Sequence, residues 1–123
     1  MRYFTFGDTS KPTLVLWQGQ MGAALLACLE FKALAENFRV IALDCFSRGA
    51  NTKLNNCRGL ESAELAEAVQ VEWVTAFFAS IDHILPEKFN IYAYCYTAHP
   101  VGVWSAKNQH RVLKLFLASP CGI

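Results

Sequence analysis

The chain has 123 residues, 54% of them hydrophobic and 17% charged, with eleven Lys plus Arg against ten Asp plus Glu. That balance describes one globular domain over 1–123, not a disordered tail, and no basic cluster is dense enough to track a nucleic-acid backbone. The apolar runs at 23–29 and 115–118 fall short of the roughly 20 residues that cross a bilayer, so no transmembrane segment is expected.

The N-terminus lacks the apolar core and cleavage site of a secretory signal. The expectation is therefore an intracellular, cytoplasmic protein. Five cysteines, Cys28, Cys45, Cys57, Cys95 and Cys121, are an odd number, and none is spaced from another as zinc ligands are. Neither a disulfide scaffold nor a metal site is expected, and no cofactor motif is present.

In chain order, 3–6 and 13–17 read as short apolar strands parted by Gly-Asp-Thr-Ser-Lys-Pro, a turn cluster. An Ala- and Leu-rich helix over 24–36 follows, then a strand over 39–44 and an irregular loop over 47–59. The stretch 60–85 reads as a long helix stopped by Pro86, with Val74, Phe77, Phe78, Ile81 and Ile84 forming one apolar stripe. Further strands are expected at 90–94 and 112–118. Apolar strands alternating with helical stretches indicate an α/β fold with a parallel sheet.

Ligands of such sheets bind at the carboxyl ends of the strands. Three loops lie there: Gln18-Gly19-Gln20-Met21-Gly22, Asp44-Cys45-Phe46-Ser47-Arg48-Gly49 and Cys95-Tyr96-Thr97-Ala98. Their order resembles the front half of an α/β-hydrolase of the AB hydrolase-1 type, over nearly the whole chain. Leu14–Gly19 stands where that family has an apolar strand followed by His-Gly, Val40–Asp44 where it has a strand ending in Asp, and Ile91–Thr97 where it has its Gly-x-Ser-x-Gly elbow. The ending Ser119-Pro120-Cys121-Gly122-Ile123 and the segment Val71–Trp73 are most similar to the subgroup of N-acyl-phospholipid lipases and a lipid-droplet lipase co-activator.

The resemblance implies a three-layer, parallel-sheet fold, truncated after the strand that follows the nucleophile helix. It implies a nucleophile position at Cys95, oxyanion amides at Gln20 and Tyr96, and Asp44 as a structural loop anchor. The departures fall on the chemistry. Gln18 replaces His, Ser47 and Arg48 replace a Gly-rich turn, and Ala93 and Thr97 replace both elbow glycines. The acidic and histidine triad members come, in the family, from strands beyond the point this sequence reaches.

His83, His99 and His110 are the three histidines, and His99 alone is placed to approach Cys95, with no orienting carboxylate following it in sequence. A lone Arg48 in a polar loop is read as solvated. Because Thr97 is β-branched and Pro100 lacks an amide, the elbow is expected to be relaxed, with Thr97 as the N-cap accepting from an orphan amide and Pro100 in the first turn.

Three readings follow. The first is a relative of carboxylic-ester and lipid hydrolases with impaired catalysis, binding an ester or lipid ligand and peripheral at lipid surfaces. The second is a lipase-regulating interaction module, and the third a thiol-dependent ester hydrolase using Cys95. A sheet ending at 112–118 exposes an apolar edge, which predicts marginal stability or a protein partner over it.

Overall fold

The computed structural model describes residues 2–19, 24–44 and 63–120. Five strands, β1 (Tyr3–Phe6), β2 (Thr13–Trp17), β3 (Arg39–Leu43), β4 (Phe89–Tyr94) and β5 (Val112–Ala118), form one sheet in the order β1-β3-β2-β4-β5. β1 runs antiparallel to β3, and every other neighbour is parallel. Three α-helices accompany it: α1 (Ala24–Glu30), α2 (Ala63–Ile81) and α3 (Ala98–Lys107). The predicted strands are all present, within a residue at each end.

Side chains alternate across a strand, and the sheet sorts them into two layers accordingly. Val15, Trp17, Ile41, Leu43, Ile91 and Ala93 face α2 and α3. Leu16, Val40 and Ala42 face α1 on the opposite side. The α2 stripe enters the first layer as its spacing predicts, with Val74, Phe77, Phe78 and Ile81 buried and Ile84 packed at the border. Burial is worth about 1.5–3 kcal/mol for each such side chain. Phe78 stacks on Trp104 of α3 at 3.9 Å between ring centroids, joining the two helices.

Trp17 closes the same layer at the carboxyl end of β2, against Phe77 and Phe78 at 5.2 and 5.5 Å.

The single helix expected over 24–36 is divided. The α-helix ends at Glu30, Phe31 leaves helical geometry at φ −106° and ψ 20°, and a 3₁₀ turn covers Lys32–Glu36. One tertiary contact lies at the break and another holds the end of the 3₁₀ turn. The Phe31 ring packs on Tyr92 at 5.5 Å, and the Lys11 ammonium donates to the terminal carbonyls of Ala35 and Glu36 at 3.2 and 2.7 Å. Those carbonyls are the orphan acceptors every helix end leaves. The long helix similarly yields to a 3₁₀ turn at Asp82–Ile84 before Pro86. The predicted loop 47–59 lies outside the described residues.

Candidate functional site

The carboxyl ends of β2, β3 and β4 converge, as a parallel arrangement requires. Asp44, directly after β3, is 3% exposed, and its Oδ1 accepts from the Ala24 amide at 2.7 Å, the first residue of α1. Asp44 thus ties the strand end to a helix start, the anchoring place the resemblance implies, and satisfies an orphan helix donor.

The turn from β4 into α3 is the sharpest feature. Cys95 has φ +61°, a left-handed conformation that costs a non-glycine residue roughly 1–2 kcal/mol. This corrects the expectation of a relaxed elbow. A 3₁₀ turn over Cys95–Thr97 carries the chain into α3, and Cys95 is partly exposed at its start.

The strain persists because the flanks are overdetermined. Ala93 and Ala98 are fully buried on either side, and Thr97 is 1% exposed. The Thr97 hydroxyl shares its proton between the Tyr94 carbonyl at 2.9 Å and the Gln18 carbonyl at 3.2 Å. The side chain expected to crowd the elbow therefore latches it to the end of β2. The expected N-cap role is corrected too, since the hydroxyl donates to carbonyls and makes no cap bond to the helix. Pro100 does fall in the first turn of α3, buried, where the missing amide is no loss.

Gly19 is what allows the two loops to meet. A Cβ there would stand 2.7 Å from Tyr94 Cδ1 and 2.9 Å from Cys95 Cβ, closer than side chains approach. Gln18, in the place of the usual His, is 6% exposed, so its backbone and not a solvent-facing side chain meets the elbow.

Of the remaining sites, Tyr96 is half-buried directly after Cys95, while Gln20, Ser47 and Arg48 lie outside the described residues. His99 is on α3, and its Nε2 is 3.4 Å from Glu67 Oε2 on α2. Sequence order gave no partner for His99 because the carboxylate precedes it on another helix; only the packing of α2 on α3 joins them. His83 and His110 lie outside this cluster, in 3₁₀ turns that precede β4 and β5. Ser119, at φ +45° after β5, is a second strained residue that local propensity did not mark.

A second thiol, Cys28, lies on α1. Burial pushes the Cys28 thiol up from its ordinary value, and its Sγ contacts the Ala24 carbonyl at 3.4 Å. No group of three His, Cys, Asp or Glu among the described residues is placed to hold a metal. Among the same residues no helix is long and apolar enough to cross a membrane.

No family model and no curated protein matches the chain. Solved structures do. A 2-hydroxy-6-oxo-6-phenylhexa-2,4-dienoate hydrolase from Rhodococcus sp. strain RHA1 is similar over 98% of this chain and 42% of its own, with a TM-score of 0.75 and 22% identity. A membrane phospholipase A described as a bacterial virulence factor covers 98% of this chain and 36% of its own, at a TM-score of 0.75 and 22% identity. The carboxylesterase CesB from Bacillus subtilis covers 96% and 38%, at 0.70 and 19%.

The architecture is the α/β-hydrolase fold. The chain spans about two-fifths of the length of these structures.

Proposed function

We propose that the chain carries the acyl-contacting half of an ester-hydrolase site, centred on Cys95, and binds a carboxylic ester or lipid with slow or no turnover. The observation that carries this reading is the left-handed backbone of Cys95 at the β4–α3 turn, held by Thr97 and approached by Gly19. An elbow retained at an energetic cost serves to present a side chain, which a purely structural turn does not need.

In this reading the Cys95 sulfur attacks the ester carbonyl, and the carbonyl oxygen becomes an oxyanion facing the Tyr96 amide, with the Gln20 amide as the second donor. The acyl group moves to sulfur and the leaving alkoxide takes up the thiol proton. His99, four residues on in sequence, is the candidate for relaying that proton, and its pairing with Glu67 orients one of its ring nitrogens. Attack is the easier half; a water must then be activated to release the thioester, and this second step is the one expected to limit turnover. The reading needs no metal or cofactor, and it places the protein in the cytoplasm, meeting lipid surfaces peripherally.

Incubation with p-nitrophenyl butyrate, followed by peptide mass mapping, tests it. The expected result is one butyryl adduct on Cys95, ahead of Cys28, whose thiol is pushed up by burial, and no adduct at that position in Cys95→Ala. Equal acylation of Cys95 and Cys28 would overturn the reading. Sustained turnover lost in Cys95→Ala would replace slow turnover by the thiol-hydrolase alternative.

The exposed face of β5, with Leu113 and Phe116 55% and 49% exposed, favours a second reading, the lipase-regulating interaction module. In that case capture of a lipase is unaffected by Cys95→Ala and lost with Phe116→Lys.

A further inference from the structure

At the end of the sheet opposite Cys95, the amino ends of the parallel strands border a groove of about 560 Å³. Four nitrogenous side chains line it: Lys11 from the β1–β2 turn, Arg39 at the start of β3, and His83 and Lys88 from the segment between α2 and β4. No Asp or Glu does. Lys11, Arg39 and the segment carrying His83 and Lys88 are far apart in sequence, and the shared strand direction gathers them.

None of the four side chains forms an ion pair within 4 Å with a carboxylate among the described residues. Lys11 donates to two backbone carbonyls and Arg39 Nη1 to the Ile84 carbonyl at 3.2 Å, while no carboxylate among the described residues pairs with either. Lys88 and His83 are exposed and make no hydrogen bond or ion pair among those residues. Arg111 nearby shows the contrast, its guanidinium held on Asp82 at 2.7 Å.

Asp8 is the carboxylate on the adjoining turn. It accepts from the Ser10 amide and hydroxyl, both at 2.8 Å, and those bonds, with a smaller contribution from Lys11, hold it below the usual carboxylate value. It is thus committed to its own turn. Glu36 and Glu87 meet this region through their backbone carbonyls, which accept from Lys11 and Arg111.

A concave site lined by charges of one sign focuses its field on a counter-ion. Lys and Arg together suit phosphate, the ammonium as a point charge and the guanidinium as a fork of donors. The same lining includes the apolar Ile84, Pro86 and the 55% exposed Leu113. We propose that this groove binds the phosphate group of a small phosphorylated molecule whose apolar part lies along Ile84, Pro86 and Leu113.

Amide chemical-shift titrations of the isotope-labelled chain test the site with inorganic phosphate, n-hexyl phosphate, and phosphatidylcholine vesicles with and without phosphatidic acid. The expected result is saturable shifts at Ser10, Lys11, Arg39 and Lys88 with both soluble phosphates, with hexyl phosphate several-fold tighter. Lys88→Gln and His83→Gln change exposed, unbonded side chains, so the fold is retained; each should weaken binding by about threefold to tenfold. Three results would overturn the proposal: no saturable shift with either soluble phosphate, affinities unchanged in both variants, or a response to phosphatidic acid vesicles alone, which would assign the groove to a membrane surface.

Discussion

β2 and β5 are near equivalents as sequence, Thr-Leu-Val-Leu-Trp and Val-Leu-Lys-Leu-Phe-Leu-Ala, and both flank β4 in parallel. In the fold they are opposites. Every residue of β2 is buried between two strands and two helical layers, whereas the middle five of β5 are exposed along an open edge. Apolar character on both faces is the mark of an interior parallel strand, and edges are ordinarily protected by charge or proline. β5 carries one charge, Lys114, and no proline. The difference teaches that strand composition reports the environment a strand suits, while its neighbours decide the environment it has.

The strongest way to break this comparison is truncation on each strand. Leu16→Ala, at a fully buried position, should cost about 2–5 kcal/mol in urea unfolding, and Leu113→Ala no more than about 0.5 kcal/mol. Equal losses would mean that β5 is covered in solution, which would unite the two strands.

A smaller effect is expected where β2 meets the elbow. Gly19→Ala forces a Cβ against Cys95 and Tyr94, and the resulting shift should cost about 1–3 kcal/mol and slow acylation of Cys95. Unchanged stability and acylation would show that the two loops do not approach so closely.

The finest probe separates the shape of Thr97 from its hydroxyl. Thr97→Val removes the bonds to Gln18 and Tyr94 while keeping the volume, and should cost about 1 kcal/mol because the buried bond to the Gln18 carbonyl is lost. Thr97→Ser retains the donor and should keep the acylation rate of Cys95 near that of the parent. A rate lost in Thr97→Ser and kept in Thr97→Val would assign Thr97 a packing role only.

Much of this fold was legible because its signals are local. Alternating apolar residues place the strands, and the spacing of Val74, Phe77, Phe78 and Ile81 places the buried face of α2. The helix break at Phe31 was not legible, since the partner its ring packs on, Tyr92, comes from another element. The elbow shows the same limit. Local rules for a β-branched residue and a proline favoured a relaxed turn, and a hydrogen bond from Thr97 to a strand far away in sequence overrode them.

The sequence by itself determined the alternation of strands and helices, the apolar stripe on α2, and the position of Cys95 directly after an interior strand. Periodicity and turn chemistry act over a few residues, and so remain readable in one dimension. Only the tertiary structure decided that Cys95 keeps a left-handed backbone, that His99 meets Glu67, and that Lys11, Arg39, His83 and Lys88 share one groove. Each of those depends on segments far apart in the chain brought together, a juxtaposition set by strand order and helix packing, which no local pattern encodes.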